Sequence, residues 1–167
     1  MNKKSNHNSK ILIITAILMV AAVVVFLNIN PKKEAKEAAS TKITKVTDSD
    51  IVIPVANVSE TPTFYPATIN GTDLEVIAVK ASDGTIRTAF NTCQVCYSSG
   101  KGYYQIEGDK LVCQNCGNAF GMDDVEATKG GCNPVPITPE YKTVDAKTIT
   151  ISKDFLNKAV VIFQNWK

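Results

Sequence analysis

Five cysteines fall within one forty-residue window: Cys93 and Cys96 in Cys93-Gln94-Val95-Cys96, Cys113 and Cys116 in Cys113-Gln114-Asn115-Cys116, and Cys132 in Gly130-Gly131-Cys132-Asn133-Pro134. Sixteen residues separate the two Cys-x-x-Cys pairs, and a gap of about fifteen to twenty is the usual spacing of thiolate metal sites. Two residues between thiolates let both sulfurs of a turn face one tetrahedral ion, and two such turns close a four-sulfur cage. Four chemistries use this arrangement. Cys93, Cys96, Cys113 and Cys116 could hold a single zinc or iron ion. The same thiolates could hold an iron–sulfur cluster. One pair could be a redox dithiol whose first thiolate is acidified for exchange, or the cysteines could be disulfides stapling a small secreted domain.

Some alternatives fall away at once. Haem attachment needs a histidine where Tyr97 and Gly117 stand. The chain's single histidine, His7, lies before a long apolar run and far from the cysteines, so the cage is restricted to sulfur. No βαβ pattern surrounds either pair, which weighs against thioredoxin-like exchange. Cys132 is the odd member, an auxiliary ligand, a disulfide partner or a buried structural thiol. Gly130-Gly131 before it permits positive φ and close backbone approach.

Other candidate residues carry less. Asp123, Asp124 and Glu126 offer hard oxygen ligands for Fe(II), though acidic groups in loops are more often solvated. Tyr103 and Tyr104 could shield the sulfurs or simply pack in a sheet. No Ser/His/Asp set, phosphate-binding glycine loop or catalytic carboxylate pair can be assembled, which weighs against an enzyme and leaves the redox dithiol as the enzymatic reading still open. A net charge of +2, with no run of like charges beyond two lysines, argues against a nucleic-acid partner.

The elements that must position the cysteines are mostly strands. Thr63 to Ile69 and Leu74 to Val79 flank Asn70-Gly71, a strong two-residue hairpin signal. Asp83-Gly84 makes a second turn into Thr85–Phe90, where Ile86, Thr88 and Phe90 share one strand face and the first cysteine pair follows. Tyr103–Ile106, Glu107-Gly108-Asp109 and Lys110–Val112 form a third hairpin that delivers Cys113. Each pair thus follows a strand, as in ribbon-type knuckles. Thr148–Ile151 alternates like a strand, and Ser152 caps a helix expected through Trp166, with Phe155, Leu156, Ala159, Val160, Phe163 and Trp166 on one side. The expected fold is mainly β with a C-terminal helix (α+β), a small hairpin domain with zinc-ribbon-like cysteine knuckles.

Placement in the cell is written at the other end. Residues 1–10 form a basic head, and Ile11 to Leu27 is an apolar run interrupted only by Thr15, near the lower bound for a spanning helix. Asn28, Asn30 and Pro31 end it, with no small-x-small cleavage site directly after. The expectation is an uncleaved transmembrane signal-anchor over residues 11–29, a polar stalk over 30–50, and a cysteine-rich domain over 51–167. A short basic head stays in the cytoplasm as a rule, so the domain is expected outside the cell membrane as the body of a single-pass protein.

The combination Ser82-Asp83-Gly84, Ala89-Phe90, Cys93-x-x-Cys96-Tyr97, Lys101-Gly102-Tyr103-Tyr104-Gln105, Gly108-Asp109, Val112-Cys113-x-x-Cys116-Gly117 and Gly130-Gly131-Cys132-Asn133-Pro134-Val135-Pro136 resembles the FtrD-like family of membrane iron–sulfur proteins. The resemblance covers the domain but neither anchor nor stalk. It implies an iron–sulfur cluster or single iron, with zinc as the alternative, on Cys93, Cys96, Cys113 and Cys116, with Cys132 auxiliary. It also implies a role in iron uptake or its supporting electron transfer, beside a membrane iron permease or redox partner. The competing readings are a thiol–disulfide oxidoreductase and a zinc- or disulfide-stabilised interaction module.

Overall fold

The hairpin signal at Asn70-Gly71 is realised in the backbone. Both residues take positive φ, 49° and 77°, which is what a two-residue turn between right-twisted strands requires. A computed structural model describes residues 43–167. The basic head, the apolar run, His7 and most of the expected stalk lie outside the described residues. Among the described residues, no helix is long and apolar enough to cross a membrane.

The strands in chain order are β1 (Val46–Thr47), β2 (Ile51–Pro54), β3 (Thr63–Ile69), β4 (Thr72–Lys80), β5 (Ile86–Cys93), β6 (Tyr104–Glu107), β7 (Lys110–Cys113), β8 (Ala119–Phe120), β9 (Pro134–Pro136), β10 (Thr143–Val144) and β11 (Thr148–Ile151). One helix, α1 (Lys153–Ala159), follows β11. The strands make a central sheet ordered β1-β3-β4-β5-β9, a second sheet β10-β11-β2, and a third β6-β7-β8. The domain is therefore mainly β with one C-terminal helix.

Two expectations are corrected. The stretch read as stalk through residue 50 contains β1, which pairs in parallel with β3, Val46 opposite Ala67, and Asp48 accepts from the Asn70 N–H at 2.9 Å. The ordered fold therefore begins before Ile51. The terminal helix does start at the Ser152 cap, whose Oγ accepts from Phe155 N at 3.3 Å. It does not run to Trp166: α1 ends at Ala159 and tightens into a 3-10 turn over Val160–Phe163. Val160, Val161 and Ile162 are β-branched and lose χ1 freedom in a helix, and a 3-10 turn is a common way for a helix to close. Phe163 and Trp166 still pack on the core, edge to face with centroids 5.4 Å apart.

The central sheet is covered on both faces, and this decides where the cysteines lie. Successive side chains of a strand point to opposite faces. On one face Val76, Ala78 and Phe90 join Ile51, Ile53, Ile149, Ile151, Leu156 and Phe163 in the larger core. On the other, Ile77, Val79, Ala89 and Cys93 meet Cys96, Tyr104, Leu111, Cys113 and Val125. Full burial of one such Ile, Leu or Phe side chain is worth about 1.5–3 kcal/mol. The β6-β7-β8 module is therefore held to the sheet by apolar contact in which three of the cysteines take part.

A candidate thiolate metal centre

Cys93 is the last residue of β5 and Cys113 the last residue of β7. After each, the chain turns back over its own sulfur. In the first turn Cys93 Sγ accepts from Val95 N at 3.4 Å and Cys96 N at 3.2 Å. In the second, Cys113 Sγ accepts in the same way from Asn115 and Cys116 N–H groups. Cys116 Sγ takes a further N–H from Asn118. Gly117, at φ 73°, closes that turn with its N–H on the Cys113 carbonyl at 2.9 Å.

Long-range hydrogen bonds bring the two turns together. Asn91, fully buried in β5, accepts from Tyr104 N at 2.7 Å and donates to the Tyr104 carbonyl at 3.3 Å. The Cys93 N–H reaches the Gly102 carbonyl at 2.6 Å, and the Gln114 N–H reaches the Tyr103 carbonyl at 2.9 Å. Trp166 Nε1–H seals the same corner on the Asn91 carbonyl at 2.7 Å.

Cys132 arrives by a separate route. β9 pairs antiparallel with β5, and Pro134 is the register partner of Cys93. Gln94, between the first two cysteines, ties this loop down: its N–H meets the Asn133 carbonyl at 3.1 Å, and its side chain joins Pro134 O at 3.3 Å and Gly130 N at 3.1 Å. Gly130 and Gly131 both take positive φ, 88° and 62°, so the loop turns sharply into the site.

The result is one cluster of free thiols. Cys93, Cys96 and Cys132 have sulfurs all within 4.8 Å of one another, and so do Cys96, Cys113 and Cys116. Cys96 belongs to both triads. Side-chain hydrogen bonds also join Cys116 to Cys132. Two thiolates on one zinc-sized ion are about 3.8 Å apart in tetrahedral geometry, since the bond is about 2.3 Å, so both triads fit a metal. Cys132 Sγ lies within 4.8 Å of both sulfurs of the first pair.

Cys93, Cys96 and Cys113 are buried, Cys132 is half-buried and Cys116 is exposed. The centre is therefore closed on the sheet side and open at Cys116. Burial opposes the Cys93 thiolate, but the N–H groups of Cys96 and Val95 and the Tyr104 hydroxyl outweigh it and lower its pKa. Cys116 is lowered first by the Asn118 N–H. Burial raises Cys96 and pushes Cys113 up to about 12. Cys132 is likewise pushed up to about 12, first by its hydrogen bond with Cys116 and then by burial. A metal must therefore displace protons to bind here, as thiolate sites require.

Tyr104 brings a hydroxyl to the cluster. It is buried, packs edge to face on Phe120 at 5.8 Å, and donates its hydroxyl to the Cys132 carbonyl. Tyr103 instead lies half-buried under the Lys167 ammonium, 5.1 Å from its ring centre.

The acidic residues are spent elsewhere. Asp123 accepts from Ser82 N and Oγ at 2.7 and 2.8 Å. Asp124 accepts from Gly121 N at 3.0 Å. Glu126 pairs with the nearly buried Lys142 at 2.5 Å and accepts from Thr88 N at 2.8 Å. None joins a thiol triad among the described residues. Sequence reasoning passed over Asn91, Gln94 and the Glu126–Lys142 pair. Polar residues in the strands and loops flanking the cysteines were the available signal.

The family described as membrane iron-sulfur containing protein FtrD-like matches residues 44–163, most of the chain. The chain belongs to that family. No curated protein and no solved structure matches it. This FtrD-like protein is thus a member of a membrane iron–sulfur family, and its own two cysteine triads could hold metal. The matched segment begins at residue 44, in line with the position of β1.

Proposed function

We propose that this FtrD-like chain is a membrane-anchored, extracytoplasmic iron-binding protein that serves iron uptake or the electron transfer supporting it. Its ligands are Cys93, Cys96, Cys113 and Cys116 on ribbon-type knuckles, together with Cys132. Residues 11–29 are its single-pass anchor, and its partner is a membrane iron permease or a redox protein beside one. The observation that carries this reading is the convergence of five free thiols, with only Cys116 exposed.

Bound iron, alone or in a cluster, would supply a one-electron couple. The chain's own residues do the rest. The N–H groups of Val95, Cys96, Asn115 and Asn118 point at sulfur and favour its anionic form. Leu111, Val125 and Phe120 keep water from the inner sulfurs. The exposed edge at Cys116 is where a donor or acceptor protein comes nearest.

The test is anaerobic purification of the full chain in detergent, with metal analysis, acid-labile sulfide assay and visible absorption. Iron is the expected result, with sulfide for a cluster and without it for iron alone. Zinc alone would remove the electron-transfer role. A metal-free protein with two disulfides that is indifferent to chelator would overturn the whole reading.

A further inference from the structure

Among the described residues, no set of four cysteine sulfurs lies within 4.8 Å of one another; two sets of three do, and they share Cys96. Three protein thiolates leave one position of a tetrahedral ion open, whereas four close it.

We infer that the centre holds two metal ions, one in the Cys93–Cys96–Cys132 triad and one in the Cys96–Cys113–Cys116 triad, with the Cys96 thiolate bridging them. The inference rests on the metal-binding reading above and specifies its ligand set. Cys132 is then a full ligand, equal in standing to Cys93, and each ion keeps one position for a non-protein donor.

The bridging sulfur should be fixed and shielded, and Cys96 is buried, as are Cys93 and Cys113. Gly102 is packed against its carbonyl, so close that a Cβ there would sit 2.4 Å from the oxygen.

The test counts ions on the full chain, reduced, stripped with chelator and kept anaerobic. Co(II) is the probe, followed by thiolate-to-cobalt absorption, and native mass spectrometry gives the number bound. Saturation at two ions per chain is expected. Cys132→Ser and Cys113→Ser should each lose one of the two, and Cys96→Ser should lose both, with circular dichroism checking that each variant is folded. The wild-type count stands even if a variant does not fold. Saturation at one ion, indifference to Cys132→Ser, or retention of one ion by Cys96→Ser would overturn the shared-ligand arrangement. Four irons with sulfide on the protein as purified would overturn it too. Each of these outcomes leaves the metal-binding reading intact, whereas no uptake of cobalt or iron under reducing conditions sinks both.

Discussion

Gly102 lies directly against the carbonyl of Cys96. A Cβ built on it would come within 2.4 Å of that oxygen and 2.5 Å of its carbon, while the Gly102 carbonyl accepts the Cys93 N–H at 2.6 Å. The first cysteine turn is thus clamped from both ends by a residue without a side chain.

Gly102→Ala follows as the first prediction. The obstructing atoms are backbone and cannot swing aside, so the turn must shift and the β5–β6 corner with it. The expected cost is about 2–3 kcal/mol, in the range for overpacking, with loss of metal from the Cys96 side. Urea denaturation and metal content read it. Gly108→Ala, where nothing lies within 4 Å, is the comparison: it suffers only from its positive φ and should keep its metal.

Tyr104→Phe keeps the ring against Phe120 and removes the hydroxyl that reaches the Cys132 carbonyl and the Cys93 sulfur. Burial, then the neighbouring Cys93, raises the phenol pKa, so the group remains a donor at ordinary pH. Loss of a partner that orients a metal ligand typically costs about 10–100-fold in affinity. Chelator competition should show a weakening of that size with the fold retained. Unchanged affinity would reduce Tyr104 to packing.

The Glu126–Lys142 pair anchors the segment leading to Cys132. Its side chains are 13% and 4% exposed, and Glu126 holds φ 64°, an unusual conformation for a non-glycine residue. Lys142→Met strands the carboxylate and should cost about 3–5 kcal/mol, as removal of one partner of a buried pair does. Adding Glu126→Gln to it should recover part of that loss, because the uncompensated charge goes. Equal losses in the single and double variants would argue against the pair as the cause.

Acid sensitivity should appear in the turn between β4 and β5. Hydrogen bonds from the Thr85 hydroxyl and N–H, with Arg87 behind them, lower the Asp83 pKa from 3.8 to about 2. A depressed carboxyl contributes stability above its unfolded value and loses it as pH falls through the folded one. Thermal midpoints of the metal-free chain should therefore fall between about pH 4 and pH 2, and Asp83→Asn should flatten part of that slope. The same slope in both proteins would assign the effect to other carboxylates, such as Asp145, which is also lowered.

Much of the fold was legible because its signals are local. Asn70-Gly71, the strand into Cys93, the hairpin into Cys113 and the Ser152 cap all depend on neighbours a few residues away. The strand at Val46–Thr47 was not legible, since two residues pairing with β3 leave no periodicity. Nor was the end of α1, where the β-branched run Val160-Val161-Ile162 cuts across an otherwise helical spacing of apolar residues. Asn91 and Gln94 looked ordinary: their partners, Tyr104 and the Gly130–Pro134 loop, lie 13 and about 40 residues away.

The sequence by itself determined the chemistry: five thiols, no usable histidine, and two turns whose sulfurs must lie close together because only two residues separate them. It could not determine how the turns and the fifth thiol combine. Within a Cys-x-x-Cys pair the distance is set by local backbone geometry. Between pairs it is set by the packing of the β6-β7-β8 module on the central sheet, and for Cys132 by the register that places Pro134 opposite Cys93. Those long-range pairings make Cys96 common to two triads and bring Cys132 to the centre.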